Sequence, residues 1–146
     1  MKLKRNLILP LLALAAASVP ASAQFACSNL LLQGSYAFTI TGQILAGPQM
    51  GPVTGVAMTS YDGQGNLTQV DHVLHNGTPP AVSWRPGTGT YTVNPDCTGS
   101  AVINFTDGSP SLMLSFVLSN LGKEIRIVVN NAQTNITSMG VSIRQN

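Results

Sequence analysis

The sequence predicts an all-β protein, an eight-stranded antiparallel up-and-down barrel. Three observations predict it. Apolar residues recur at every second position through most of the chain, which is the period of half-buried strands. Short turns rich in Asn and Gly separate these runs, and short loops make neighbouring strands antiparallel. Each run has one apolar face to bury, and closing the sheet on itself does so while removing both edges. A two-sheet β-sandwich is the alternative, since its strands share the same period.

The chain opens with a basic stretch, Met1-Lys2-Leu3-Lys4-Arg5, followed by an apolar run over 7–17 that Pro10 interrupts. Ser18-Val19-Pro20-Ala21-Ser22-Ala23 then ends in a small-x-small pattern. This reads as a secretory signal peptide, residues 1–23, cleaved after Ala23. The apolar run is shorter than the ~20 residues of a membrane span, so no stable membrane insertion is expected after cleavage. Residues 24–146 suit a single domain, secreted or periplasmic.

A short helical turn is expected over 27–33, with Ser28 or Asn29 as its N-cap and Gly34 as its stop. It would lay Leu30 and Leu31 over one barrel end. The first strand, 35–42, puts Tyr36, Phe38 and Ile40 on one face. A weaker strand spans 54–61. In the third, 67–75, His72 shares a face with Val70 and Leu74, while Asp71 and His75 share the other. The apolar neighbours of His72 make that face the expected interior. The fourth, 89–93, turns Tyr91 and Val93 inward. The fifth, 100–106, offers Ala101, Ile103 and Phe105, and the sixth, 112–119, offers Leu112, Leu114, Phe116 and Leu118. The seventh, 124–130, offers Ile125, Ile127 and Val129. The eighth, 137–144, offers Met139, Val141 and Ile143. Two loops, 43–53 and 76–88, exceed what hairpins need and are placed beside a barrel mouth.

Charge excludes some partners. The full chain carries +2. Without the leader, Arg85, Lys123, Arg126 and Arg144 stand against Asp62, Asp71, Asp96, Asp107 and Glu124, four against five, a net of −1. Such a chain has no electrostatic footprint for nucleic acid and no polybasic patch for anionic lipid.

Three motifs, Leu32-Gln33-Gly34-Ser35-Tyr36-Ala37-Phe38, Asp62-Gly63-Gln64-Gly65-Asn66-Leu67-Thr68 and Gly89-Thr90-Tyr91-Thr92-Val93-Asn94-Pro95-Asp96-Cys97-Thr98-Gly99, resemble a family of small secreted bacterial proteins of unknown function. The resemblance covers most of the chain beyond the leader. It implies a calycin-like barrel, similar to the allene oxide cyclase barrel, whose members bind or cyclise apolar small molecules. It implies no catalytic residue. The lipocalin Gly-x-Trp is matched only by Gly34-Ser35-Tyr36.

Motifs for chemistry are sparse. Asp71 and His72 point to opposite faces of a strand, so they do not converge on a metal. Asp62-Gly63-Gln64-Gly65-Asn66 spaces oxygen ligands but lacks the EF-hand pattern, and a hairpin turn explains it. No Gly-x-Ser-x-Gly elbow and no close carboxylate pair of the glycosidase kind is present. Trp84-Arg85 is expected in a Pro-rich loop, with the indole laid over a barrel end. Cys97 follows Asp96, an unfavourable setting for a thiolate. Export and an even cysteine count favour a Cys27–Cys97 disulfide.

The expected role is to bind a small apolar ligand in a lumen lined by Tyr36, Phe38, His72, Tyr91, Phe105 and Phe116, with no catalytic residue, metal or cofactor assigned. A structural or interaction module with a filled core is the alternative. A cofactor-independent, cyclase-like enzyme with His72 as acid or base stands third.

Overall fold

The computed structural model describes residues 26–143. The expected leader and cleavage site, residues 1–23, and Arg144 lie outside the described residues. Eight strands follow a short 3-10 turn in chain order. They are β1 (Gln33–Ile44), β2 (Gly51–Asp62), β3 (Asn66–His75), β4 (Arg85–Val93), β5 (Thr98–Phe105), β6 (Leu112–Ser119), β7 (Glu124–Val129) and β8 (Thr134–Ser142). Each pairs antiparallel with the next, and β8 closes onto β1. The architecture is a closed up-and-down barrel, not a sandwich.

The two ends differ. At one end the connections are tight. Asp62 anchors the β2–β3 turn: its Oδ1 accepts the backbone N–H groups of Gln64, Gly65 and Asn66 at 2.7, 2.9 and 2.9 Å, and its Oδ2 accepts the Asn66 amide at 2.6 Å. The Asn66 side chain and these N–H groups hold the Asp62 carboxyl down to a pKa of about 2. That carboxylate is committed to its own hairpin. Asp96 similarly accepts from the Thr98 hydroxyl and N–H in the β4–β5 turn. At the other end run the longer β1–β2 and β3–β4 connections.

The tight end is plugged. The 3-10 turn covers only Asn29–Leu31, and Ser28 makes no side-chain capping bond. Asn29 instead accepts the Val93 N–H at 2.7 Å, tying the turn to β4. Leu32, fully buried, is the residue that enters the barrel. Leu30 points to solvent, contrary to the sequence expectation, because one 3-10 turn aims few side chains the same way. The Cys27–Cys97 disulfide clamps this segment, alongside a Cys27 N–H to Pro95 carbonyl bond of 3.0 Å. Cys97 itself adopts φ 69° in the turn.

Above the plug the interior is solid. Tyr61 sits between Tyr36 and Tyr91 with edge-to-face centroid distances of 5.4 and 5.0 Å. The Tyr36 hydroxyl donates to the Gly122 carbonyl at 2.6 Å and that of Tyr91 to the Leu32 carbonyl at 2.8 Å. Glycines make room for rings. Gly99 pairs with Phe116 and Gly140 with Phe38, and a Cβ at either glycine would overlap the ring opposite.

Two strands present the opposite face from the one expected. On β8 the interior receives Ile136 and Gly140, while Met139 and Val141 lie outside and Ile143, just past the strand, is also exposed. Gly140 must face inward because the Phe38 ring needs its space. On β3 the interior receives Leu67, Gln69, Asp71 and Val73, and Val70 and His72 lie outside. The turn anchored by Asp62 pairs Leu67 with buried Tyr61, and the two-residue period then fixes the face of every later residue.

Candidate functional site

The open half of the barrel holds a cavity of about 380 Å³. Its walls are largely apolar: Phe38 and Ile40 from β1, Val53 and Ala57 from β2, Ile103 and Phe105 from β5, with further aliphatic side chains from β6, β7 and β8. The cavity exists because side chains thin out toward this end. β2 contributes Val53 and Ala57 and β8 contributes Ser138 and Ile136, whereas the plugged end is filled by three tyrosines and Phe116.

One wall is polar, and it is built across three adjacent strands. Asp71 on β3 faces Arg85 on β4 in register. Arg85 Nε donates to Asp71 Oδ1 at 3.0 Å and Nη2 to Oδ2 at 2.9 Å, a bidentate pair. Deeper in the barrel, Thr59 on β2 faces Gln69 on β3. The Thr59 hydroxyl donates to Gln69 Oε1 at 3.1 Å, and Gln69 Nε2 donates to Asp71 Oδ2 at 3.2 Å. The guanidinium lies 3.6 Å from the centre of the Phe105 ring, a cation–π contact from the neighbouring strand. Among the described residues, Thr59, Gln69 and Asp71 are the buried polar side chains, and they form this single chain of bonds.

His75 ends the same row at the mouth. Its Nδ1 is buried and has no hydrogen-bond partner among the described residues. Burial, followed by the nearby Arg85 charge, pushes its pKa below the ordinary histidine value. The ring is therefore neutral at pH 7.

The expected lumen residues divide three ways. Phe38 and Phe105 line the cavity. Tyr36, Tyr91 and Phe116 point inward but belong to the packed half, where they meet protein rather than open space. His72 is on the outer wall: its Nδ1 bonds the Ser83 carbonyl, and its ring lies 5.8 Å from Trp84. Trp84 is 53% exposed and caps no barrel end. Arg85 is the first residue of β4 rather than part of a loop, and its side chain enters the barrel. Asp71, Arg85, Gln69, Thr59 and His75 were all missed as lumen residues. The one available signal was parity: Leu67, as the first apolar residue after the turn, places residues 69, 71, 73 and 75 on its own face.

The wall offers hydrogen bonds and a compensated charge pair. Among the described residues, the Thr59 hydroxyl bonds Gln69 rather than Asp71 or His75. Among the described residues, no group of three or more His, Cys, Asp or Glu side chains is arranged to hold a metal.

No protein-family model and no curated protein matches this chain. A solved structure described as a redesigned beta barrel is similar, with a TM-score of 0.53 at 16% identity over 86% of this chain and 100% of that one. At that identity the likeness speaks for the fold alone, the same closed barrel that the strand pairing shows.

Proposed function

We propose that the protein binds a small apolar molecule in the open half of its barrel. The observation that carries this reading is the cavity itself, about 380 Å³ inside a barrel whose other half is densely filled. Cavities of this size with mostly apolar walls and a few convergent polar groups are the usual form of small-molecule sites. At roughly 30 Å³ per water-sized atom it has room for about a dozen heavy atoms. The filled-core alternative describes the plugged half only.

The disulfide suits an oxidising, extracytoplasmic environment. Among the described residues no helix is long and apolar enough to cross a membrane. With the leader-like first 23 residues, this supports a secreted or periplasmic carrier whose barrel resembles the calycins. An intact mass starting at Gln24 with both cysteines oxidised is the expected product.

Titration with a small, neutral, environment-sensitive dye, 1-aminonaphthalene, tests the binding reading. Saturable binding of one dye per protein is expected, abolished by Ala57→Phe, which fills the cavity. Dye binding that is absent, or indifferent to Ala57→Phe in a folded protein, overturns it.

A further inference from the structure

The polar wall defines the ligand's chemistry more narrowly than the cavity does, and this inference rests on the binding reading above. An arginine carries five N–H donors. Two of those of Arg85 go to Asp71, which leaves three without a partner among the described residues. Gln69 uses one of its two amide hydrogens on Asp71. His75 Nδ1 is buried and unpartnered, and a buried polar atom without a partner is rare enough to require a reason. Fewer acceptors remain: Asp71 already takes three hydrogen bonds, Gln69 Oε1 takes one and keeps one lone pair, and Nδ1 of the neutral His75 donates in its Nδ1–H tautomer. The wall therefore has donors to spare, and the group that complements it is an acceptor oxygen.

Its charge balance points further. Asp71 and Arg85 cancel, and His75 is neutral. The Asp71 side chain is only 3% exposed, so water screens it little. A carboxylate seated on the Arg85 donors would share one cation with a second anion a few ångströms away. It would also lose its hydration without a charge of its own to replace it. An uncharged oxygen meets neither cost.

We infer that the site selects an uncharged, mainly aliphatic molecule of about a dozen heavy atoms bearing one acceptor oxygen, a ketone, ester or alcohol, held by the spare donors of Arg85 and by His75 in its Nδ1–H tautomer. Asp71 is the selectivity residue. By neutralising Arg85 it turns a would-be anion site into one for a neutral polar head.

A matched series tests this by displacement of the bound 1-aminonaphthalene at neutral pH: methyl nonyl ketone, undecanol, undecanoate and undecane. The ketone or the alcohol is expected to bind roughly tenfold or more tighter than undecanoate, and tighter than the alkane. Asp71→Asn keeps an acceptor for Arg85 and removes the negative charge. It is expected to raise undecanoate affinity relative to the ketone by roughly tenfold. His75→Phe keeps the shape and removes Nδ1, and it should weaken the ketone without weakening the alkane. Undecanoate equal to or tighter than the ketone in the wild-type protein overturns the inference while leaving the binding reading intact. Failure of the dye and of every member to bind overturns both. The wild-type ranking decides the matter even if Asp71→Asn does not fold.

Discussion

Asp71 and Arg85 stand opposite each other on adjacent strands and close a two-point ion pair, 3.0 and 2.9 Å, inside the barrel. Asp71 is almost fully enclosed, while Arg85 retains 20% of its side-chain exposure. Breaking such a pair strands one charge, whereas replacing both partners by apolar groups is often neutral. Asp71→Ala should therefore cost about 3 kcal/mol in urea unfolding, near the low end for buried pairs because Arg85 reaches some water. The double replacement Asp71→Leu with Arg85→Met should recover most of that loss. A double mutant no more stable than Asp71→Ala would show that the pair acts through something other than its charge.

The three tyrosines of the chain all sit in one buried cluster. Burial raises the pKa of each above 10.0, most strongly for Tyr61 at the centre. The folded values exceed the unfolded ones. The stabilisation is thus complete below pH about 10 and is lost as pH rises beyond it, where the unfolded chain releases phenol protons and the folded one does not. Tyrosinate absorbance should stay low past pH about 10 and then rise together with the loss of circular dichroism. Independent titration of all three phenols near pH 10 in a protein that remains folded would contradict the cluster.

The disulfide closes a loop with a sequence separation of 70. On the chain-entropy account, a loop that long stabilises by about 4 kcal/mol. Replacing Cys27 and Cys97 by serine together should lower the unfolding free energy by about that much. Because the bond also holds Leu32 in the plugged end, amide exchange should quicken first in the segment before β1. Exchange that quickens uniformly would locate the effect in the unfolded chain alone.

Gly140 has no Cβ to meet the ring of Phe38. Its backbone is not in the left-handed region, so the cost of a side chain there is steric. Gly140→Ala should destabilise by about 1–3 kcal/mol, the range for overpacking. Phe38→Leu should relieve part of that cost, giving a favourable coupling in the double-mutant cycle. Additive losses would mean that the two sites do not share the space.

His72 lies on the outer wall beside Trp84. His72→Ala should leave dye affinity in the lumen unchanged within about twofold. A larger loss would place that ring in the ligand's path.

The strand count, the antiparallel order and the Cys27–Cys97 pairing were legible in the sequence, because each depends on local information: a two-residue period, turn chemistry and an even cysteine count. On β1, β5, β6 and β7 the inward face was legible too, since one face is plainly more apolar. On β3 and β8 it was not. There the outer face carries Val70 and Leu74, or Met139 and Val141, while the inner face carries Gln69 and Asp71, or Ser138 and Gly140.

Hydrophobicity decides the face of a strand only when polar residues have nowhere inside to be satisfied. Here Asp71 finds Arg85 and Gln69 on facing positions, and Gly140 is wanted inside for the volume it leaves to Phe38. Both conditions depend on residues distant in the chain that only barrel closure brings together. The sequence by itself determined an antiparallel, disulfide-stapled all-β domain; that it closes into a barrel rather than a sandwich shows only in the pairing of β8 with β1. The tertiary structure alone decided that half of it is solid, that the other half is open, and that the open half has a charged but electrically balanced wall.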